Sequence, residues 1–254
     1  MPIITHQLDD LATNQIHELT QCADLTYFIE NYCKIKHPLH GIIPFTLYPH
    51  QHKLISSYQE GNTIILTPRQ MGTSVTTCAY LLWCSIFHMN KTTLIISDTN
   101  ATAMELLRKI YFMYDNLPTW MRPIISHNTK HLLCFNNGSS ICAHNCSIEA
   151  SQGRTVSYLY CDNFNFVNPQ IAQAFWEATY PTLTKNSQTI ITSSLSVQEN
   201  IYNQLWNDPK ELNGFKHIQL MWDEYPDRSE EFKDSMINLI GIDKWRSEYE
   251  CQFI

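Results

Sequence analysis

Two short segments carry the residue types that could hold a phosphate chain and a divalent cation. One is Thr67-Pro68-Arg69-Gln70-Met71-Gly72-Thr73-Ser74, placed where an apolar run ends and an amphipathic stretch begins. The other is Asp162-Asn163, which closes the run Tyr158-Leu159-Tyr160-Cys161. A phosphate cradle needs exposed backbone N–H groups, a glycine that allows close approach, and a helix N-terminus aimed at negative charge. Gly72 and a helix starting at Ser74 meet that pattern, Ser74 offers a hydroxyl to Mg²⁺, and Arg69 brings a guanidinium near the cradle. The usual loop reads Gly-Lys-[Ser/Thr], and here Thr73 stands at the lysine position. A strand-ending aspartate steadies Mg²⁺ in such sites, a part that falls to Asp162. The residue after it is normally a glutamate that orients or deprotonates water, whereas Asn163 cannot accept a proton. The plainer alternatives are an ordinary strand–turn–helix connection and an aspartate capping a turn.

These segments are positioned by an alternation of apolar strands and helices. Residues 63–66, 93–97, 156–161 and 188–194 read as strands, and 74–89, 100–114 and 169–179 as helices. Continuous apolar strands separated by helices of this length predict a mostly parallel sheet buried on both faces. The fold class is therefore α/β, of the P-loop NTPase type, with helices on both sides of the sheet. Val75, Cys78, Ala79, Leu82, Ile86 and Met89 form one stripe that packs on the sheet. Upstream, Leu8, Leu11, Ile16 and Leu19, then residues 23–32, predict an α-rich start, followed by a loop with Pro38, Gly41 and Pro44 and a short helix over 48–58. Residues 131–135 and 140–144 flank Asn136-Asn137-Gly138 and predict an antiparallel hairpin. The C-terminal part reads as a helix over 201–206, a strand over 216–222 and helices over 229–250. The expected organisation is an N-terminal helical segment, 1–46, and a P-loop-type domain, 47–254.

Composition narrows the function classes. The chain has 254 residues, 44% hydrophobic and 16% charged, which excludes disorder. No apolar run reaches membrane-spanning length and Met1 to Asp10 lacks a signal core, so no membrane partner and a cytoplasmic location are expected. Nine cysteines, an odd number scattered among predicted elements, fit reduced thiols. Cys134, Cys142, His144 and Cys146 have soft ligand types, but their spacing is not a usual zinc pattern. A net charge of −7 confines any nucleic-acid contact to a local patch. Lys91, Lys109 and Lys130 read as a solvated face, and Trp120, Phe164 and Trp176 as core.

Taken together, Tyr48-Pro49-His50-Gln51, Pro68-Arg69-Gln70-Met71-Gly72, Asn137-Gly138-Ser139-Ser140-Ile141, Gln152-Gly153-Arg154 and the Asp162 strand resemble, in order and spacing, the ATPase domain of large terminase subunits, the DNA-packaging motors of tailed bacteriophages. The similarity runs from about Leu25 to the end, where residues 245–253 look like the family's Phe-Arg-Gln-Glu-Tyr-type segment. The resemblance implies ATP and Mg²⁺ as cofactors. It implies that Gln51 reads the adenine edge, that Arg69 to Ser74 form the nucleotide cradle, and that Ser74 and Asp162 hold Mg²⁺. Arg69, Asp162 and the catalytic glutamate position, Asn163, would carry the chemistry. Thr192-Ser193-Ser194 matches the motif that couples hydrolysis to movement, with Leu195-Ser196-Val197 replacing the usual Pro-Asn-Gly. The implied partners are double-stranded DNA, the portal, the small terminase subunit and further copies in a ring, in the cytoplasm of a host cell carrying a phage or prophage. The family's nuclease domain is expected to be absent.

Three readings follow. The first is a motor domain that binds ATP but hydrolyses it slowly or not at all, because Thr73 and Asn163 fall on two positions the family needs. In the second, an active ATPase uses Arg69, Lys91 or a neighbouring subunit's arginine in place of the lysine and Glu149 as base. The third is a nucleotide-free scaffold that keeps the fold.

Overall fold

The computed structural model describes residues 12–37, 39–183, 186–195, 200–208 and 214–252. The expected contributions of Leu8, Leu11, Pro38, Ser196, Val197 and Phe253 lie outside them.

The chain starts with α1 (Thr13–Gln21) and α2 (Leu25–Tyr32), the second capped by the Asp24 carboxylate accepting from the Tyr27 N–H. Leu25, Phe28 and Ile29 are fully buried and join the same core cluster as the central helices, and Trp83 Nε1 donates to the Cys22 carbonyl at 2.8 Å. Where the sequence predicts a loop, β1 (Lys34–His37) and β2 (Gly41–Pro44) form a small antiparallel ribbon. The punctuation residues mark its turn, but its strands are short and mostly exposed, so no apolar period announces them. Helix α3 (Pro49–Glu60) follows with proline at its first position, where a missing N–H costs nothing.

The core unit begins with β3 (Thr63–Leu66), α4 (Thr73–Phe87), β4 (Thr92–Ser97) and α5 (Asn100–Asp115). β5 (Ile125–Asn128), β6 (Leu132–Phe135) and β7 (Ser140–Asn145) come next, then β8 (Tyr158–Asp162), α6 (Pro169–Thr179), β9 (Gln188–Ser193), α7 (Ile201–Asn207) and β10 (Lys216–Gln219). Two helices, α8 (Glu230–Ile240) and α9 (Ile242–Glu248), are separated by Gly241. The sheet order is β10-β3-β9-β8-β4-β7-β6-β5, parallel from β10 to β7 and antiparallel between β7 and β6 and between β6 and β5. The expected hairpin is β6–β7, and because β7 also pairs with β4 it widens the main sheet. The sequence pattern does not announce β5, because three of its four residues are exposed and polar.

Alternation across the pleat sorts the strands into two cores. Ile65, Ile95, Tyr160, Ile190 and Ile218 face α3, α4 and α5. Ile64, Leu66, Leu94, Ile96, Leu159 and Ile191 face α6 and α7. Helix α4 is buried nearly all round, so it is a central rather than a surface helix. Among the described residues, no helix is long and apolar enough to cross a membrane.

Candidate nucleotide site

The segment after β3 is bent by two residues in the left-handed region, Gln70 (φ 61°) and Gly72 (φ 75°). The last sheet hydrogen bond is from Thr67 N–H to the Ser193 carbonyl at 3.0 Å, after which the chain leaves the sheet. Gly72 is the N-cap of α4, and the N–H groups of the first turn have no acceptor within the helix. A Cβ at Gly72 would meet Gln51 Nε2 at a left-handed φ, so any side chain there must displace the Gln51 amide and strain the backbone. The loop's other side is pinned by His50, 1% exposed, whose Nε2 lies 2.8 Å from the Met71 carbonyl and Nδ1 3.1 Å from that of Glu224.

The C-terminal helices grip the same loop. Arg69 N–H donates to the Glu248 carbonyl and its guanidinium pairs with the Glu248 carboxylate, both at 3.2 Å. Arg228 donates to the Arg69 carbonyl at 2.7 Å and stacks on Tyr225, Phe232 and Tyr249. Trp245, fully buried, lies parallel to Tyr249 with ring centroids 4.6 Å apart and anchors this cluster.

Thr73, at the lysine position, turns its hydroxyl inward to Thr67 Oγ1 at 3.0 Å. It presents no charge to the loop. Ser74 donates to Asp162 Oδ1 at 3.1 Å, joining loop and strand end across 88 residues of sequence. The same oxygen accepts from Tyr160 at 2.6 Å and Thr192 at 2.8 Å. Among the described residues Oδ2 accepts no hydrogen bond, and Asp162, 5% exposed, lies on the wall of a cavity of about 1000 Å³. Burial raises the Asp162 pKa, and the Tyr160, Thr192 and Ser74 hydroxyls, with the more distant Lys109 charge, oppose the rise. One carboxylate with a spare oxygen beside a serine hydroxyl is a hard, oxygen-only donor pair. It suits Mg²⁺, which binds through one or two protein oxygens plus phosphates and water. Among the described residues no group of three or more His, Cys, Asp or Glu side chains could hold a metal, and the Cys134, Cys142, His144 and Cys146 set forms none.

Asn163 follows in the left-handed region at φ 53°, ψ 33°, and starts a single turn over 164–166. Asparagine tolerates that conformation better than other side-chain-bearing residues do. β9 lies between β3 and β8, so Thr192 touches Asp162, while Ser193 Oγ accepts from Asn165 N–H at 3.1 Å and the Ser194 carbonyl from Asn165 Nδ2 at 3.3 Å. Asn200, at the start of α7, donates to the Asn165 carbonyl at 3.0 Å. The strand end, the turn after Asp162 and α7 are thereby one hydrogen-bonded unit.

The cavity collects the loop from Thr67 to Ser74 with Asp162, Asn163, Thr192, Ser193 and Ser194. It does not collect Gln51, which is 3% exposed, lies beneath Gly72 and accepts the Tyr48 N–H at 2.9 Å as a cap of α3. Lys91 and Glu149, read as a substitute cation and base, do not line it either. Residues assigned no part in the site from the sequence do: Lys36 and Phe112 in cation–π contact at 4.8 Å, Asp98, the ion pair Glu105–Arg108 at 2.8 Å, and Lys109. Lys109 is half-buried rather than solvated. Arg154 acts elsewhere, its charge falling on Cys134, Cys142 and His144 of the hairpin.

The family model described as terminase large subunit, T4likevirus-type, N-terminal, matches residues 64–254. The ATPase domain of the large terminase of Thermus phage P74-26 is similar in structure, with a TM-score of 0.63 and 16% identity over 83% of this chain and 95% of that one. The large terminase of bacteriophage HK97 gives a TM-score of 0.70 and 15% identity over 90% of this chain, which spans 54% of the longer protein. The large terminase of a thermophilic bacteriophage, in complex with ADP, gives 0.65 and 9% over 82% of this chain and 54% of the other. With these folds shared and the family model matching from β3 onward, the chain belongs to the T4likevirus-type terminase large subunits, as their N-terminal ATPase-domain fold.

Proposed function

We propose that this chain is the nucleotide-binding domain of a phage DNA-packaging motor that holds Mg-ATP and turns it over slowly or not at all. The observation that carries the reading is the Ser74–Asp162 hydrogen bond in the wall of a cavity also lined by the first turn of α4, with Thr73 and Asn163 at the two adjoining positions. The large terminase of the thermophilic bacteriophage has been solved with ADP and with ATP-gamma-S, which supports a nucleotide as the ligand here. The loop amides and the helix N-terminus hold the phosphates, and Ser74 and Asp162 hold Mg²⁺. The cation supplies neutralisation of phosphate charge when bound. Gln51 supports the loop from below by filling the space that Gly72 leaves.

Nothing at position 163 can take a proton from water, so binding and hydrolysis are separated at that residue. Thr192, Ser193 and Asn165 would carry any change at Asp162 to α7. Double-stranded DNA, the portal, the small terminase subunit and a ring of further copies in the host cytoplasm are the partners that fit a packaging motor.

The test pairs binding with turnover. Mg-ATP at about 100 times its Kd stabilises the fold by about 2.7 kcal/mol, which raises the melting temperature by about 5–10 °C for a chain of this size. Steady-state hydrolysis stays far below one per second, and the double substitution Thr73→Lys with Asn163→Glu raises it by about 100-fold or more. No shift in melting temperature at millimolar Mg-ATP overturns the reading in favour of a nucleotide-free scaffold, and per-second turnover by the wild-type chain overturns the hydrolytic loss.

A further inference from the structure

We propose that the Lys109 ammonium of α5 does for this chain what the absent loop lysine does elsewhere, neutralising the outer phosphates of a nucleoside triphosphate in the cavity. The inference rests on the nucleotide-binding reading above and names the group that makes it possible without a cation at Thr73.

Four cationic side chains line the cavity or its loop, and three are engaged. Arg69 is held by Glu248 at 3.2 Å, Lys36 sits over the Phe112 ring at 4.8 Å, and Arg108 is held by Glu105 at 2.8 Å. Lys109 alone makes no ion pair or hydrogen bond among the described residues. Its natural local partner is Glu105, four positions back, in the favourable order for a helix. Instead Arg108 pairs with that carboxylate, its Nε at 2.9 Å and Nη2 at 2.8 Å both meeting Oε2. The ammonium is left for the cavity.

Tertiary packing aims it there. Cys78 Sγ of α4 lies 3.6 Å from the Leu106 carbonyl of α5, bringing the α5 turn that ends at Lys109 against the start of α4, one turn from Ser74. Lys109 lines the same cavity as Ser74 and Asp162, and its charge is felt at both Cys78 and Asp162. An unpartnered ammonium in a cavity with a buried carboxylate whose second oxygen is free marks a place for an anion that brings its own cation. Magnesium with a di- or triphosphate is that chemistry. A compact ammonium on a flexible stem also serves as a point-charge phosphate binder from a helix flank as well as from a loop.

Calorimetric titration of the full chain with Mg-ATP, Mg-ADP and AMP tests this on the wild type, Lys109→Met, Lys109→Arg, and Lys109→Met combined with Thr73→Lys. Loss of one charged hydrogen bond predicts that Lys109→Met binds Mg-ATP about 10- to 100-fold more weakly. AMP, whose single phosphate the loop amides hold, should change by less than about threefold, and Lys109→Arg should retain most of the ATP affinity. The loop lysine in the double variant should restore it. Unliganded melting of Lys109→Met should match the wild type, since the ammonium makes no bond in the fold. Lys109→Gln replaces it if the Met variant melts early. Wild-type binding with Mg-ATP affinity unchanged in Lys109→Met and Lys109→Gln overturns this inference alone. No binding by the wild type overturns the nucleotide reading and this inference with it.

Discussion

Asp162→Asn separates the cost of the site from its use. Asp162 is buried, and its Oδ1 accepts from Ser74, Tyr160 and Thr192, while Oδ2 accepts nothing among the described residues. Asparagine keeps Oδ1 as the acceptor and places an amide where Oδ2 stood. Charge-assisted hydrogen bonds exceed neutral ones by about 1 kcal/mol each, so three weakened bonds cost about 3 kcal/mol. Removing a buried charge returns several kcal/mol. Burial outweighs the donors, as the raised pKa of Asp162 shows, so the unliganded variant is expected to melt above the wild type. The pH dependence follows from the same sign. A carboxyl whose folded pKa is raised favours folding when protonated. That contribution is full below the unfolded pKa, near 4, and is lost as pH rises through the folded value. The two proteins should therefore melt together in mild acid and diverge towards neutrality, with the variant higher. With Mg-ATP the order reverses, because the variant loses the anionic ligand and most of the ligand-induced shift. Calorimetric scans across pH, with and without Mg-ATP, measure both. An unliganded variant that melts below the wild type at neutral pH, or one that keeps the full Mg-ATP shift, refutes the assignment of Asp162.

Gly72→Ala places a Cβ on Gln51 Nε2 at a left-handed φ of 75°. The expected loss is about 1–3 kcal/mol in chemical denaturation, with the Mg-ATP shift abolished, and retention of that shift would count against the cradle geometry. Trp245→Ala removes a fully buried ring stacked on Tyr249 and should cost about 3–5 kcal/mol by thermal denaturation. Because Glu248 holds Arg69, the same variant should also weaken Mg-ATP binding measured below its melting point, and unchanged affinity would show that the loop stands without the C-terminal helices.

The parallel core was legible because its strands are buried on both faces and read as unbroken apolar runs, as in Thr63–Leu66 and Thr92–Ser97. The ribbon β1–β2 and strand β5 were not, since exposed polar edge strands leave no period to detect. Of the cavity lining, Gly72, Ser74 and Asp162 were picked out by their place at strand ends, and the Thr192–Ser194 strand end by the family resemblance. Gln51 was readable as a residue but not as a buried support, because its place depends on how α3 meets the loop. Lys109 reads as solvated in the sequence. Only the packing of α5 on α4, marked by Cys78 and Leu106, turns it inward, and the neighbouring Arg108 decides that Glu105 is taken. Such competition among three residues of one helix leaves no trace in the pattern of letters.

The grip of the C-terminal helices on the loop gives the domain a mechanical load path. Glu248 and Arg228 meet the loop at Arg69, between the end of β3 and the left-handed turn at Gln70. A displacement of α9 therefore reaches the loop directly, through Arg69. Tension or torque applied there would act as a tuning peg on the curvature of the loop, tightening or slackening it.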